Sequence, residues 1–149
     1  MDLFSAMEVG SSGLKAQRLR LNLTAQNLAN ANTTETPEGG PYRAKRAVFA
    51  TQPASGSGSF EAALQGAWNN APRPEHVQVR EVVESEQPPR RVYDPAHPDA
   101  DEDGYVAKPN VDTVTEMTDL MSATRAYKAN TQTISAAREM AMHALRIGQ

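Results

Sequence analysis

Met7, Leu14, Leu21, Ala25 and Leu28 follow one another at intervals of three, four and seven, with Ser11 and Arg18 in the slots between. Leu19 and Leu23 form a second stripe beside them. This is helical period, because residues three and four apart share a helix face whereas strand residues alternate. Gly10, Ser11, Ser12 and Gly13 interrupt the pattern. An interior Gly costs a helix about 1 kcal/mol relative to Ala. Either the helix breaks there, or the small residues let another helix come close. The chain then fills with Asn27, Asn30, Asn32, Thr33 and Thr34 and runs into Gly39-Gly40-Pro41, where a helix must end and turn.

The C-terminal pattern is longer. Met117, Leu120, Thr124, Tyr127, Thr131, Ile134, Arg138, Ala141 and Leu145 keep three-four spacing, and Met121 and Met142 widen the stripe. Thr113 and Glu116 have the spacing of a capping box, Pro109 stops anything earlier and Gly148 closes the run. Thirty-odd residues at 1.5 Å each make a rod of roughly 45–50 Å, long for a compact domain of this size. It suits a coiled-coil strand. Between the helices, "YRAKRAVFATQ" and "EHVQVREVVES" alternate in part and carry β-branched residues, and "RRVYD" is shorter but similar; each predicts a strand. Residues 53–75, rich in Gly, Ser and Pro, read as a loop with one helical turn around Phe60 to Trp68. The predicted fold is α+β: long terminal helices (1–40 with the Asn-rich turn, and 109–149) paired as a coiled coil, with a small β-rich part at 41–108.

Composition sharpens this picture. Of 149 residues 39% are hydrophobic, with three Phe, four Tyr and one Trp, which is lean for a chain that must close its own core. Both helical seams also carry polar residues, and most helical stability comes from tertiary packing. Several such pairs side by side could share the burial, so the chain is expected to assemble. The net charge of −3, with both signs interspersed, argues against nucleic acid, which requires a clustered basic face. The absence of cysteine excludes disulfides and thiolate metal sites. Asp2 stands where a signal peptide would be positive, and no stretch nears the ~20 apolar residues that span a bilayer. Neither general secretory export nor membrane insertion is expected.

Candidate chemistry is sparse. "DADEDG", Asp99 to Gly104, matches the opening of an EF-hand calcium loop. Its twelfth position is Asn110, however, and Pro95 and Pro98 preclude an entering helix, so it reads as an acidic turn with Gly104 at the bend. A calcium-responsive coiled-coil module is the alternative from another class. His76, His97 and His143 lack helical metal spacing. His97 near Asp94 and Asp99 suggests an acid–base pair, but no nucleophile elbow completes it. No catalytic residue, metal or cofactor is expected, and the chain is not read as an enzyme.

Two stretches carry a resemblance. "LTAQNLANANTTETPEGGPYRAK" is similar to the N-terminal signature of the flagellar rod and hook family, in which a helix ends in an Asn-Leu-Ala-Asn run. "DPAHPDADEDGYVAKPNVDTVTEMTDLMSATRAYKAN" resembles the C-terminal signature of proximal rod subunits of that family, with Gly-Tyr-Val, Pro-Asn-Val, Glu-Met and Arg-Ala-Tyr-x-Ala-Asn in order. The likeness covers residues 1–52 and about 76–149. Residues 53–75 look like an addition of this lineage.

The resemblance implies a structural subunit of the bacterial flagellar basal body, in the periplasmic rod. The alternative within the family is another proximal rod or adaptor subunit. Its terminal helices would polymerise into a tubular drive shaft and export channel. Partners would be copies of itself and other rod proteins, the basal-body adaptor and MS-ring at the base, and the flagellar type III export apparatus. Met117, Leu120, Met121, Tyr127, Ile134 and Leu145 would pack on Leu14, Leu21, Ala25 and Leu28 and on adjacent subunits. Asn27, Asn30 and Asn32 would serve the helix end or a subunit boundary, and Arg125 and Asn130 would make polar contacts between subunits. Phe60 and Leu64 fit the family's export-gate pattern, and Phe49 occupies a comparable place.

Overall fold

The computed structural model describes residues 3–53 and 75–147. Helix α1 spans Leu3–Ala29, and strands follow at Lys45–Pro53 (β1), Glu75–Glu84 (β2), Arg90–Tyr93 (β3) and Tyr105–Lys108 (β4). Helix α2 spans Thr113–Ile147. The fold is thus α+β, with long terminal helices around a β-rich middle. β1 and β2 form one antiparallel ribbon and β3 and β4 another.

Gly10 to Gly13 do not break α1. A Cβ on Gly10 would lie 2.9 Å from Ile134 Cγ1, and one on Gly13 would lie 2.9 Å from Asn130 Nδ2. The small residues therefore admit α2, the second of the two sequence alternatives. Gly10 meets Ile134, Gly13 meets Asn130 and Asn27 meets Glu116, so the helices run antiparallel. The seam is made of small and polar groups. Ala16, Leu23, Thr24 and Asn27 are buried on α1, and Glu116, Ala123 and Ala137 on α2.

This differs from the expected pairing of apolar stripes. The inward line of α2 is rotated by one residue, so that Glu116, Ala123 and Ala137 are buried while Met117 and Arg138 are exposed; Leu145, near the helix end, is exposed too. Leu120 and Ile134 remain half-buried in both versions. Leu14, Leu21 and Leu28 are half-buried and Ala25 is exposed. The reason is partly steric. Backbones that approach at Gly10 and Gly13 leave no room for bulk at one end of the pair, and at the other end the Asn27–Glu116 bond holds Glu116 inward and so turns Met117 out.

The start of α2 also differs from expectation. Asp112, not Thr113, is the cap: its Oδ1 accepts the Val114 amide at 3.1 Å and its Oδ2 accepts the Thr115 hydroxyl at 2.6 Å. Those bonds, the Thr115 hydroxyl first, hold the Asp112 carboxyl below its ordinary value of 3.8. Glu116 is thereby released from any capping role and turns inward.

The ribbons are placed by specific contacts. In β1–β2 the register runs from Lys45 opposite Glu84 to Pro53 opposite Glu75, with a bulge at Arg80 between the Val48–Glu81 and Phe49–Val79 pairs. The ribbon is tied to α1 by the Val77 amide, which donates to Ser12 Oγ at 3.3 Å, and by Arg20, whose guanidinium lies 5.0 Å over the Phe49 ring. β4 was not expected as a strand; it pairs with β3 from Arg90–Lys108 to Tyr93–Tyr105. Gly104, at φ +78°, makes the turn between them as expected. Among the described residues β3 and β4 pack on each other and on no other helix or strand.

Two stability outcomes are expected. Gly10→Leu should weaken the helix pair by about 1–3 kcal/mol despite its better helix propensity, because β-branched Ile134 cannot swing aside; a lowered urea midpoint checks it. Asp112→Ala should lower the midpoint at neutral pH. A folded-state pKa below the unfolded one adds stability that is complete above 3.8 and withdrawn as pH falls through the folded value, so the difference between variant and parent should shrink in acid below 3.8.

Candidate assembly interface

The amide-rich end of α1 is built around Asn27, which is 2% exposed. Its Oδ1 accepts the Lys45 amide at 2.8 Å and the Tyr42 hydroxyl at 2.9 Å. Its Nδ2 donates to the Lys45 carbonyl at 3.0 Å and to Glu116 Oε2 at 3.2 Å. One side chain thus fills its two donor and two acceptor positions and joins α1, the turn, β1 and α2. Burial, and then the negative charges of Glu116 and Glu84, push the Tyr42 hydroxyl above its ordinary value of 10.0, which keeps it a donor.

The neighbouring amides serve the helix end. Asn30 returns both its backbone amide (3.0 Å) and its Nδ2 (2.9 Å) to the Gln26 carbonyl, one of the groups that a helix C-terminus leaves without a partner. Its Oδ1 accepts the Thr33 hydroxyl at 3.2 Å. Asn32 is exposed in the turn. The loop then closes on itself, the Thr36 amide donating to Gly40 and the Gly39 amide to Thr36, each at 2.9 Å. Gly39 and Gly40 take φ +91° and +77° there and lead the chain into β1.

On α2 the outward face carries what the seam excludes. Val114 is 70% exposed, Met117 50% and Met121 55%; Leu145, also 70% exposed, lies about three turns on from Ile134 near the end of α2 and not on this face. Arg125 is exposed on the outward face, and Tyr127 sits at its margin. Asn130 and Ile134 are half-buried against Gly13 and Gly10 within the chain. Phe60 and Leu64 lie outside the described residues; Phe49 is half-buried beneath Arg20. Glu116 and Tyr42 are the partners that sequence reasoning missed. Glu116 lies 89 residues from Asn27, and its local spacing pointed to a cap.

The acidic turn does not present a cation cage. Asp101 Oδ1 accepts the Tyr105 amide at 2.7 Å and the Asp103 amide at 3.1 Å, and Oδ2 is paired with Arg91. The Tyr105 amide is the main cause of a lowered Asp101 carboxyl pKa. Asp99 Oδ2 accepts the Thr34 hydroxyl at 2.6 Å, and the Asp99 amide donates to His97 Nδ1 at 3.2 Å. These carboxylates are occupied in shaping the turn, so the calcium reading is not favoured. Among the described residues no helix is long and apolar enough to cross a membrane.

Comparison with known proteins decides what this architecture belongs to. Residues 7–35 match the family described as flagella basal body rod protein, and residues 102–147 match the flagellar basal body rod FlgEFG protein C-terminal family. The flagellar basal-body rod protein FlgC of Escherichia coli is 42% identical over 149 residues, covering all of both chains. The chain belongs to the FlgC family of flagellar basal-body rod proteins. The Borreliella burgdorferi FlgC is 40% identical over 153 residues, covering 100% of this chain and 99% of its own, and that of Bacillus subtilis 39% over 153 residues and the whole of both. It is therefore a structural subunit of the flagellar basal-body rod, not an enzyme, and its place is in assembly with other rod components.

Loss of the Asn27 hub should be costly. Asn27→Ala would leave Lys45, Tyr42 and Glu116 short of partners, at about 1–3 kcal/mol for each buried group, and should lower the melting temperature sharply. Asn27→Asp would set a second carboxylate against Glu116 and should be destabilising at neutral pH. Two facing carboxylates favour the protonated form, so the Asp variant should recover part of its stability as the solution is acidified, unlike the Ala variant.

Proposed function

We propose that the chain occupies the proximal part of the rod and polymerises through its terminal helices into the tube that serves as drive shaft and export channel. The observation that carries this reading is the two-sided character of α2, which buries Glu116, Ala123 and Ala137 against α1 and leaves Val114, Met117 and Met121 uncovered. Large flexible apolar side chains on an exposed helix stripe are suited to contacts with several neighbours, because methionine adapts to irregular surfaces.

In this reading Leu14, Leu21, Leu28, Leu120 and Ile134, each half-buried in the single chain, complete their burial when neighbours pack alongside. Met117, Met121, Arg125, Tyr127 and Leu145 supply contacts to adjacent subunits. Asn27, Asn30 and Asn130 hold the helix pair in the shape those neighbours meet, and Asn32 sits at the boundary. At the base of the rod the partners are the basal-body adaptor and the MS-ring. The chain reaches its place unfolded through the flagellar type III export apparatus, and Phe60 and Leu64 are candidates for gate recognition. A seam of glycine, alanine and amide favours such passage, because it holds the helices with little apolar area.

The test is Met117→Glu combined with Met121→Glu, as the sole copy in a motile strain. Both side chains are exposed, so the purified variant should keep its urea midpoint within roughly 0.5 kcal/mol of the parent. It should be absent from isolated basal bodies, and the cells should not swim. Normal swimming with normal incorporation would overturn the interface.

A further inference from the structure

The β3–β4 ribbon ends in an exposed aromatic cluster. Tyr93 and Tyr105 face each other as the last pair of the ladder, with ring centroids 5.3 Å apart and planes at 66°. Tyr93 is 64% exposed and Tyr105 40%. Arg91 lies 5.0 Å over the Tyr105 ring and is anchored by Asp101. A Cβ on Gly104 would come 3.0 Å from the Tyr93 ring, so the glycine lets that ring lie against the turn. The cluster is held in place before any partner arrives, which lowers the entropic cost of binding, and Tyr and Arg are the residue types that dominate interface energetics. Beyond the rings the turn presents exposed Glu102 and Asp103.

A surface of matching order lies on α2. Val114, Met117 and Met121 form an exposed apolar stripe, and Arg125 and Lys128 continue the same face, also exposed. The apolar end is followed by a basic end about 10 Å away, at 1.5 Å per residue. On the ribbon the aromatic pair is followed by an acidic end on the adjoining turn, two or three residues from Tyr105. Sulfur against aromatic rings and acid against base would both be satisfied in one arrangement. Within one chain they do not meet, because among the described residues β3 and β4 pack on no helix.

We propose that the aromatic end of the β3–β4 ribbon docks on the methionine stripe of α2 of a second copy of this chain. The occupant is a copy because both halves of the contact, complementary in apolar character and opposite in charge, are carried by this sequence. The contact is heterologous: each molecule offers a ribbon to one neighbour and a helix face to another, which generates a ring or an open helical series rather than a two-fold dimer. The inference rests on the assembly reading and adds to it a defined copy-to-copy contact outside the α1–α2 seam.

The chain has no cysteine, so introduced thiols report alone. Rods assembled from chains carrying both Glu102→Cys and Lys128→Cys should give a ladder of linked copies on mild oxidation. A mixture of the two single variants should stop at dimers, and either single variant alone should stay monomeric. Adding Tyr105→Ala should reduce linking several-fold. In cysteine-free chains, Lys128→Glu should slow incorporation and Glu102→Lys should restore it in the double variant. Rods that contain the doubly substituted chain yet yield monomers after oxidation would overturn the contact and leave the assembly reading standing. Absence of the unsubstituted chain from purified rods would instead strike at that reading itself.

Discussion

Everything in this molecule is referred to one buried amide. Asn27 makes four hydrogen bonds, two to the Lys45 backbone and one each to Tyr42 and Glu116, and so reaches three separate parts of the chain. A helix end, a turn, the first strand and the opening of the second helix are all held in register by it. A buried polar group that is fully satisfied can specify one arrangement, since any other leaves its partners unpaired in a low dielectric. Leucine at this position would add apolar area but would not distinguish one sliding position of the helices from the next.

Such a registering group matters because the rest of the seam has little means of specifying itself. Alanines and glycines pack closely but offer few features to interlock. The glycine approaches at Gly10 and Gly13 set the distance between the helices, and Asn27 with Glu116 sets their axial offset. Ser12 and Arg20 then fasten the β1–β2 ribbon to the same helix, so the small β part is oriented by α1. The large apolar residues, released from the seam, are free to face outward.

The two helices could be read from the sequence because their period persists over many turns. The face that α2 turns inward could not. Its apolar pattern superposes an inner line and an outer line one residue apart, and counting hydrophobic positions favours the richer line, which is the outer one here. Gly10 and Gly13 did carry the signal of close approach, though not the identity of the partner. Glu116 was obscured by a local pattern, capping spacing, whereas its actual partner is remote in sequence. Tyr105 to Lys108 was not recognised as a strand because four residues form one only when β3 lies beside them. The Asn-rich run was understood in kind, as a helix end needing small polar groups, but which amide would be buried depended on contacts from Tyr42, Lys45 and Glu116 that no single stretch contains.

The antiparallel course of the terminal helices has a geometric consequence. Gly10 lies level with Ile134 and Asn27 with Glu116, so the first turns of α1 and the last turns of α2 share one end of the pair, while the turns leading to the ribbons lie at the other. The subunit is a vector with the start of α1 and the end of α2 at its tail. Repeated addition of such vectors by the proposed head-to-tail contact would confer direction on the filament, so that its two tips would expose different chemistry and growth at one would not be equivalent to growth at the other.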